Sequence, residues 1–288
     1  MKIAMYSQFS NLVKENGIEA AADIARSYGC EAVEFIDVFG RPSVIDDEKT
    51  ALEFRRVLKE KGLEVACYSV AVNLVLPSDS SFDSDAAERY VMHSAKMAAI
   101  VGSPYLHHTL VLELTYNEKS YVRDFGRVME MLLPHTCAIA DLCNSLGMTV
   151  LYEPQGYYAN GRERFIAFYN EMKKRGKRVG VCGDMGNSLF CDWRPEDFFE
   201  ELASEIKHIH AKDYILLTDG NARGYSSVSG KKIVPVAFGE GDVDVARCIS
   251  AVCEKGYGGA ISLEGEYHDV EREILFDVAA VKRFIEQK

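Results

Sequence analysis

The stretch NSLGMTVLYEPQG, residues 144–156, runs from a helix end through an apolar strand to a carboxylate. Gly147 suits the left-handed residue that closes a helix, because it carries no Cβ penalty there. Residues 149–153 then read as a short, buried strand with a β-branched, apolar and aromatic run. Pro154 and Gly156 break the pattern. Glu153 thus stands at the C-terminal tip of a strand with no polar alternation to place it in solvent. The same order of helix, glycine and strand recurs in SYGCEAVEF (27–35), EKGLEVACY (60–68) and EKGYGGAISL (254–263).

Outward from these units, strands are expected near 2–6, 31–36, 64–70, 104–108, 149–153, 179–183, 207–211 and 260–264. Helical patterns fall at roughly 12–28, 47–61, 85–101, 118–146, 161–175, 195–204, 242–255 and 270–286. Val122, Phe125, Val128, Met129, Leu132 and Leu133 set the three- and four-residue spacing of one of them. Strands alternating with helices imply a parallel sheet with right-handed crossovers. Eight such units predict an α/β fold, a closed (β/α)8 TIM barrel, as a single domain over residues 1–288. An open doubly wound sheet is the alternative, weakened by the lack of a G-x-G-x-x-G after the first strand. The longest non-helical stretch, Tyr214 to about Gly241, follows the seventh strand and reads as a functional loop.

The chain has 288 residues, 48% hydrophobic and 27% charged, enough to bury a large core. Its net charge of −11 argues against a nucleic-acid partner, which needs clustered Lys and Arg. The start MKIAMYSQFSN lacks the apolar run of a signal peptide, and no stretch approaches the length of a membrane span. Eight cysteines form no C-x-x-C pair. A reduced, cytoplasmic setting is expected, with no membrane partner and no disulfides.

Three more strand ends repeat the feature of Glu153. They are Asp184 in VGVCGDMGNS (179–188), His210 in IKHIHAKD (206–213) and Glu264 in GGAISLEGE (258–266). In a parallel barrel these ends share the C-terminal rim, where active sites sit. An isolated carboxylate at such a place is a solvated charge or half of an ion pair. Three carboxylates and an imidazole together repel one another unless a cation lies among them, and a divalent metal would turn all four into ligands. His208 and His210 alternate with Ile209 and so face one side, though one ligand suffices. Lys212 and Asp213 read as a surface pair of little energetic weight.

The chain resembles the xylose isomerase-like TIM-barrel superfamily, the sugar phosphate isomerase/epimerase group that includes ketose 3-epimerases and type IV endonucleases. The resemblance rests on LYEP (151–154), GDMGN (183–187), HIHAKD (208–213) and ISLEGE (261–266), with FGEGDVD (238–244) and EAVEF (31–35) in support. It implies that Glu153, Asp184, His210 and Glu264 coordinate one divalent ion. It also implies that Glu153 and Glu264 form an acid/base pair working through an enediolate on a keto-sugar. Three oxygens and one nitrogen suit Mn²⁺ or Mg²⁺ better than structural Zn²⁺, with Co²⁺ or catalytic Zn²⁺ as alternatives. One departure stands out. Many epimerases of the group carry a His where this chain has Asn187, and an amide carries no proton near neutral pH. The alternative activity is a metal-dependent lyase or dehydratase on a 3-keto-glycoside or sugar-acid derivative. An endonuclease is disfavoured by only seven histidines and by the charge, and a sugar-binding protein with a degraded site is the non-enzymatic reading.

Further substrate contacts are expected from His107 or His108 in SPYLHHTL (103–110), of which only one can face inward. Glu34, Lys212, Asn187 and, in the long loop, Arg223 complete the expected set. Tyr6, Phe9, Phe39, Tyr68, Tyr157 and Trp193 could wall a sugar. The expected partner is a small-molecule carbohydrate; no phosphate loop or basic cluster marks the rim, so an unphosphorylated sugar or sugar acid is as well supported as a sugar phosphate. Homo-oligomer formation is left open.

Overall fold

In the computed structural model, which describes residues 1–77, 79–112, 125–219 and 222–287, eight parallel strands close on themselves. They are β1 (Lys2–Met5), β2 (Ala32–Val38), β3 (Glu64–Ala71), β4 (Tyr105–His108), β5 (Thr149–Tyr152), β6 (Val179–Asp184), β7 (Ile206–Ala211) and β11 (Ala260–Leu263). The barrel shuts where Lys2 pairs with Ala260 and Met5 with Leu263. Around it run α1 (Ser7–Ser27), α2 (Glu48–Lys61), α3 (Ser84–Val101), α4 (Phe125–Ser145), α5 (Arg162–Lys174), α6 (Pro195–Leu202), α7 (Val245–Glu254) and α8 (Val270–Glu286). The expected (β/α)8 barrel is the fold, with every barrel strand within a few residues of its place.

The helix ends follow from local chemistry. Asp47 and Asp83 accept from the backbone N–H of Thr50 and Ala86 and so cap α2 and α3. Helix α1 starts at Ser7, five residues before the expected position, because β1 feeds it directly through Tyr6. Gly17 (φ 79°) then kinks it. The expected start of the fourth helix falls in 113–124, outside the described residues.

Side chains alternate across each strand, so each strand serves two cores. The outer face packs on the helices through buried Phe35, Tyr68, Phe165, Phe168, Phe198 and Phe199. The lower barrel interior is filled by apolar groups, the small Ala4, Ala32 and Ala66 in one cluster and Cys67, Leu151 and Cys182 in another. All eight cysteines are free. Pairing shifts register after Val33 in β2 and after Val181 in β6; irregularities of this kind re-aim side chains beside a site. Above them lies a polar ring described below.

The stretch after the seventh strand is not one loop. It folds into an antiparallel sheet of β8 (Asp213–Leu217), β10 (Lys232–Val236) and β9 (Tyr225–Ser226), with β10 in the middle. Pro235 obscures β10 in the sequence, because proline breaks a sheet ladder; here it lies beyond Lys232 and Ile233, the residues that pair with β9. Asp213 is likewise no surface partner of Lys212. It is buried, and its carboxylate accepts from the N–H groups of Tyr214 (2.8 Å), Gly239 (3.0 Å), Gly241 (2.8 Å) and Val243 (3.4 Å). A Cβ on Gly241 would lie 2.1 Å from Asp213 Oδ1, which explains the second glycine of FGEGDVD. Asp213 thus ties the return segment to the end of β7.

Replacing Asp213 with Ala strands several buried N–H groups at once. We expect Asp213→Ala to lower the unfolding free energy by roughly 3 kcal/mol, read from urea denaturation. A loss within error of zero would mean that these bonds hold nothing in place.

Candidate metal centre

Polar side chains face inward from five of the staves near the C-terminal end: Glu34 on β2, Ser69 on β3, His107 on β4, His208 and His210 on β7, and Ser262 on β11. Glu153, Asp184 and Glu264 stand at the tips of β5, β6 and β11. His210 is the hub. Its Nδ1 lies 3.3 Å from Glu153 Oε2, 3.8 Å from Asp184 Oδ2 and 3.2 Å from Glu264 Oε2. None of these contacts has hydrogen-bond geometry. His210 Nδ1, Glu153 Oε2 and Asp184 Oδ2 are all buried without a hydrogen-bond partner. Buried polar atoms are rarely left so, and here three of them face one point.

Each group is held in that pose from behind. Asp184 uses Oδ1 to accept from the N–H groups of Gly186 (2.7 Å) and Asn187 (2.5 Å), which turns Oδ2 to the centre. Glu153 Oε1 accepts from Asn187 Nδ2 at 3.4 Å. Lys212 Nζ reaches Glu264 Oε1 at 2.7 Å, Asp184 Oδ2 at 3.4 Å and Asn187 Oδ1 at 3.2 Å. The ring of Tyr6 stacks on His210, with centroids 4.7 Å apart. Lys212 offsets one of the three negative charges, so the centre relies on more than an added cation, but two remain.

Burial and these neighbours set the protonation. Burial raises the Glu153 carboxyl to about 7, with His210 opposing and Asp184 adding to the rise. Burial also raises Asp184, partly offset by Lys212. Glu264 moves the other way: against burial, Lys212 and His210 hold it below the usual carboxylate range. His210 is raised well above an ordinary imidazole despite burial, through Cys182 and Glu34. Without a metal, protons and Lys212 together keep the acids apart.

The donor set fits a divalent ion. Ligand atoms about 2.1 Å from one centre sit about 3.0 Å apart in an octahedron and about 3.4 Å in a tetrahedron. The separations from His210 Nδ1 to Glu264 (3.2 Å) and Glu153 (3.3 Å) fall in that range, and the one to Asp184 (3.8 Å) lies beyond it. Asp184, His210 and Glu264 offer ligand atoms within 4.8 Å of one another, and Glu153 clusters separately with His210; drawn together, the four could hold such an ion, and the carboxylate-rich set suits a hard cation.

Of the expected substrate contacts, His107, Asn187 and Lys212 line a cavity of about 290 Å³ over the centre. Glu34 does not line it. Fully buried behind His210, it uses both oxygens on His210, His208 and Ser69. His108 alternates to the outer face, against Tyr152 (5.2 Å), where burial lowers it to about 4 and keeps it neutral. Arg223 is exposed and off the cavity wall. Among the expected aromatics Tyr6 reaches the cavity, while Phe9, Tyr68, Tyr157 and Trp193 are buried in the core. Phe190, Tyr214 and Tyr225 stand there instead, joined by Pro235 and Val236 of β10. Ser69 was not among the expected contacts; its only signal was a polar residue in the apolar run CYSVA, two places past the inward Cys67. Tyr225 and β10 had no such signal.

The profile of the xylose isomerase-like TIM barrel family matches residues 22–284, and the chain belongs to that family. No curated protein matches it by sequence. Solved structures of the same fold include a xylose isomerase-like TIM barrel protein of Mycobacterium smegmatis in complex with magnesium. It has 16% identity and TM-score 0.73, covering 99% of this chain and 96% of that one. A D-allulose 3-epimerase of Methylomonas sp. has 14% identity and TM-score 0.71, covering 99% and 98%. A protein designated a 3-DHS dehydratase, from Bacillus anthracis, has 15% identity and TM-score 0.71, covering 98% and 99%. Among the described residues no helix is long and apolar enough to cross a membrane.

A cation entering the centre must displace the protons on Glu153 and His210, whose metal-free values are raised. Apparent affinity for Mn²⁺ should therefore rise with pH, by about tenfold per unit for each proton displaced, most steeply below about pH 7, where Glu153 as well as His210 holds a proton. Calorimetric titration in buffers of different ionisation enthalpy should record proton release. A pH-independent affinity without release would contradict this arrangement.

Proposed function

We propose that the protein is a divalent-metal-dependent sugar isomerase or epimerase acting on a keto-sugar. Mn²⁺ or Mg²⁺ would be held by Glu153, Asp184, His210 and Glu264. The observation that carries this reading is that Glu153 Oε2, Asp184 Oδ2 and Glu264 Oε2 lie within 3.2–3.8 Å of His210 Nδ1 below a cavity, three of these four atoms being buried without a hydrogen-bond partner. A bound divalent ion supplies a Lewis acid that polarises the substrate carbonyl and offsets the charge developing on its oxygens.

The chain's own groups would move the proton. Glu153 and Glu264 rise from β5 and β11, separated in the barrel by β6 and β7. Two carboxylates whose environments push them apart divide naturally into acid and base. Glu264, which Lys212 holds ionised, would take the proton beside the carbonyl. Glu153 would return one from the other side of the centre, and exchange with solvent would reset both carboxyls between turnovers. Asn187 bonds to Glu153 and to Lys212 and carries no proton itself, so the two glutamates handle all transfer. Lys212 is the sole Lys or Arg among the described cavity residues, and Glu264 and Asp184 already engage it. That favours an unphosphorylated sugar. Phe190, Tyr225, Pro235 and Val236 would shield the reacting carbon from water.

Incubated with a panel of ketoses in D₂O, the Mn²⁺-loaded protein should place deuterium on the carbon beside the carbonyl. Chelation should abolish exchange, and Glu153→Gln or Glu264→Gln should lower kcat by about 10²–10⁴-fold. Equal behaviour of chelated and metal-replete protein would overturn the proposal. Mass loss of water or an aglycone would instead assign the site to a lyase or dehydratase.

A further inference from the structure

Behind the metal centre lies a closed hydrogen-bond network that the reaction as drawn does not use. Glu34, with no exposed surface, receives three contacts: Ser69 Oγ to Oε1 at 2.5 Å, His210 Nε2 to Oε1 at 3.1 Å and His208 Nε2 to Oε2 at 2.7 Å. An ionised carboxylate only accepts, so each partner turns a proton toward it. For His210 this keeps a proton on Nε2, so the proton that a cation displaces is the one on Nδ1, whose lone pair then faces the centre.

The network continues through Ser69 to the cavity. A serine hydroxyl has one proton, and here it goes to Glu34. The contact of 2.9 Å between Ser69 Oγ and His107 Nδ1 must then be an N–H donated by the imidazole. The reverse setting would press two acceptor oxygens together at 2.5 Å. His107 accordingly carries its proton on Nδ1, and Nε2 is left with a bare lone pair. That atom is buried, has no hydrogen-bond partner and lies 3.5 Å from Glu153 Oε1, on a residue that lines the cavity.

We propose that Glu34 is a positioning residue that sets the tautomers of both histidines, His210 directly and His107 through Ser69. One carboxylate thereby presents a lone pair to the metal and a second lone pair to the substrate. The substrate group that meets His107, beside Glu153, is then a hydrogen-bond donor, a hydroxyl, and not a carbonyl or phosphate oxygen. The His210 half rests on the proposed metal-dependent function; the His107 half does not.

Ring-nitrogen NMR of the full-length, Mg²⁺-loaded protein, labelled with ¹⁵N in histidine only, reads the tautomers directly. We expect His107 with a protonated Nδ1 and a bare Nε2. Ser69→Ala should shift His107 toward mixed tautomers while leaving Mn²⁺ affinity near the wild-type value. Ser69→Thr, which keeps the hydroxyl, should restore the wild-type pattern. Glu34→Gln should weaken Mn²⁺ binding about 10–100-fold, as loss of an outer-sphere partner does. A proton on Nε2 of wild-type His107, or an unchanged pattern in Ser69→Ala, would overturn the proposal. So would a folded Glu34→Gln protein with wild-type Mn²⁺ affinity; should that variant not fold, the Ser69 pair decides. Wild-type protein that binds no Mn²⁺ would overturn the metal-dependent function and the His210 half, leaving the His107 spectra to decide the remainder.

Discussion

Glu153, Asp184 and Glu264 all point at one imidazole nitrogen, and their mutual repulsion is the constraint that the upper half of the barrel answers. Two like charges about 4 Å apart repel by about 4 kcal/mol at an effective dielectric near 20, and burial adds a desolvation cost of several kcal/mol per ion. Free side chains would splay. These are prevented from doing so: backbone N–H groups clamp Asp184, Asn187 holds Glu153, and Lys212 holds Glu264. The fold thus holds these groups together against their repulsion.

The rest of the architecture positions and covers that centre. Apolar inward side chains fill the barrel floor, and the polar ring above them is wired so that each group faces one way. The small antiparallel sheet then supplies part of the cavity wall. It is fastened at the end of β7 by Asp213, one residue from Lys212 and three from His210, so the same short segment builds the centre and anchors its roof. Tyr225 of β9 also donates to Glu266, just beyond Glu264, at 2.9 Å. Cover and centre are therefore mechanically joined.

What could be read in advance follows from the physics of each feature. The eight strands and their order were legible because a parallel strand buried on both faces leaves an unbroken apolar run, and glycine closes the helix before it. The four centre residues were legible only as a set: one such charge can be solvated or half of an ion pair, but acids and an imidazole at four neighbouring strand ends crowd one another. Glu34 was noticed but misplaced: strand alternation gives the inward face, not the depth, and only the barrel sets it behind His210. His108 differed from His107 by that same alternation, which the sequence leaves undetermined until one position is anchored. The roof was hidden because β9 has two residues and β10 contains Pro235. Asp213 looked like a surface charge because its partners are backbone N–H groups from a distant glycine-rich turn.

Anomalous diffraction from crystals soaked in Mn²⁺ tests the central claim most directly. The account predicts a single strong peak at bonding distance from Glu153 Oε2, Asp184 Oδ2, His210 Nδ1 and Glu264 Oε2. A site without a peak at saturating Mn²⁺, with the carboxylates turned apart and His210 still protonated among them, would contradict it.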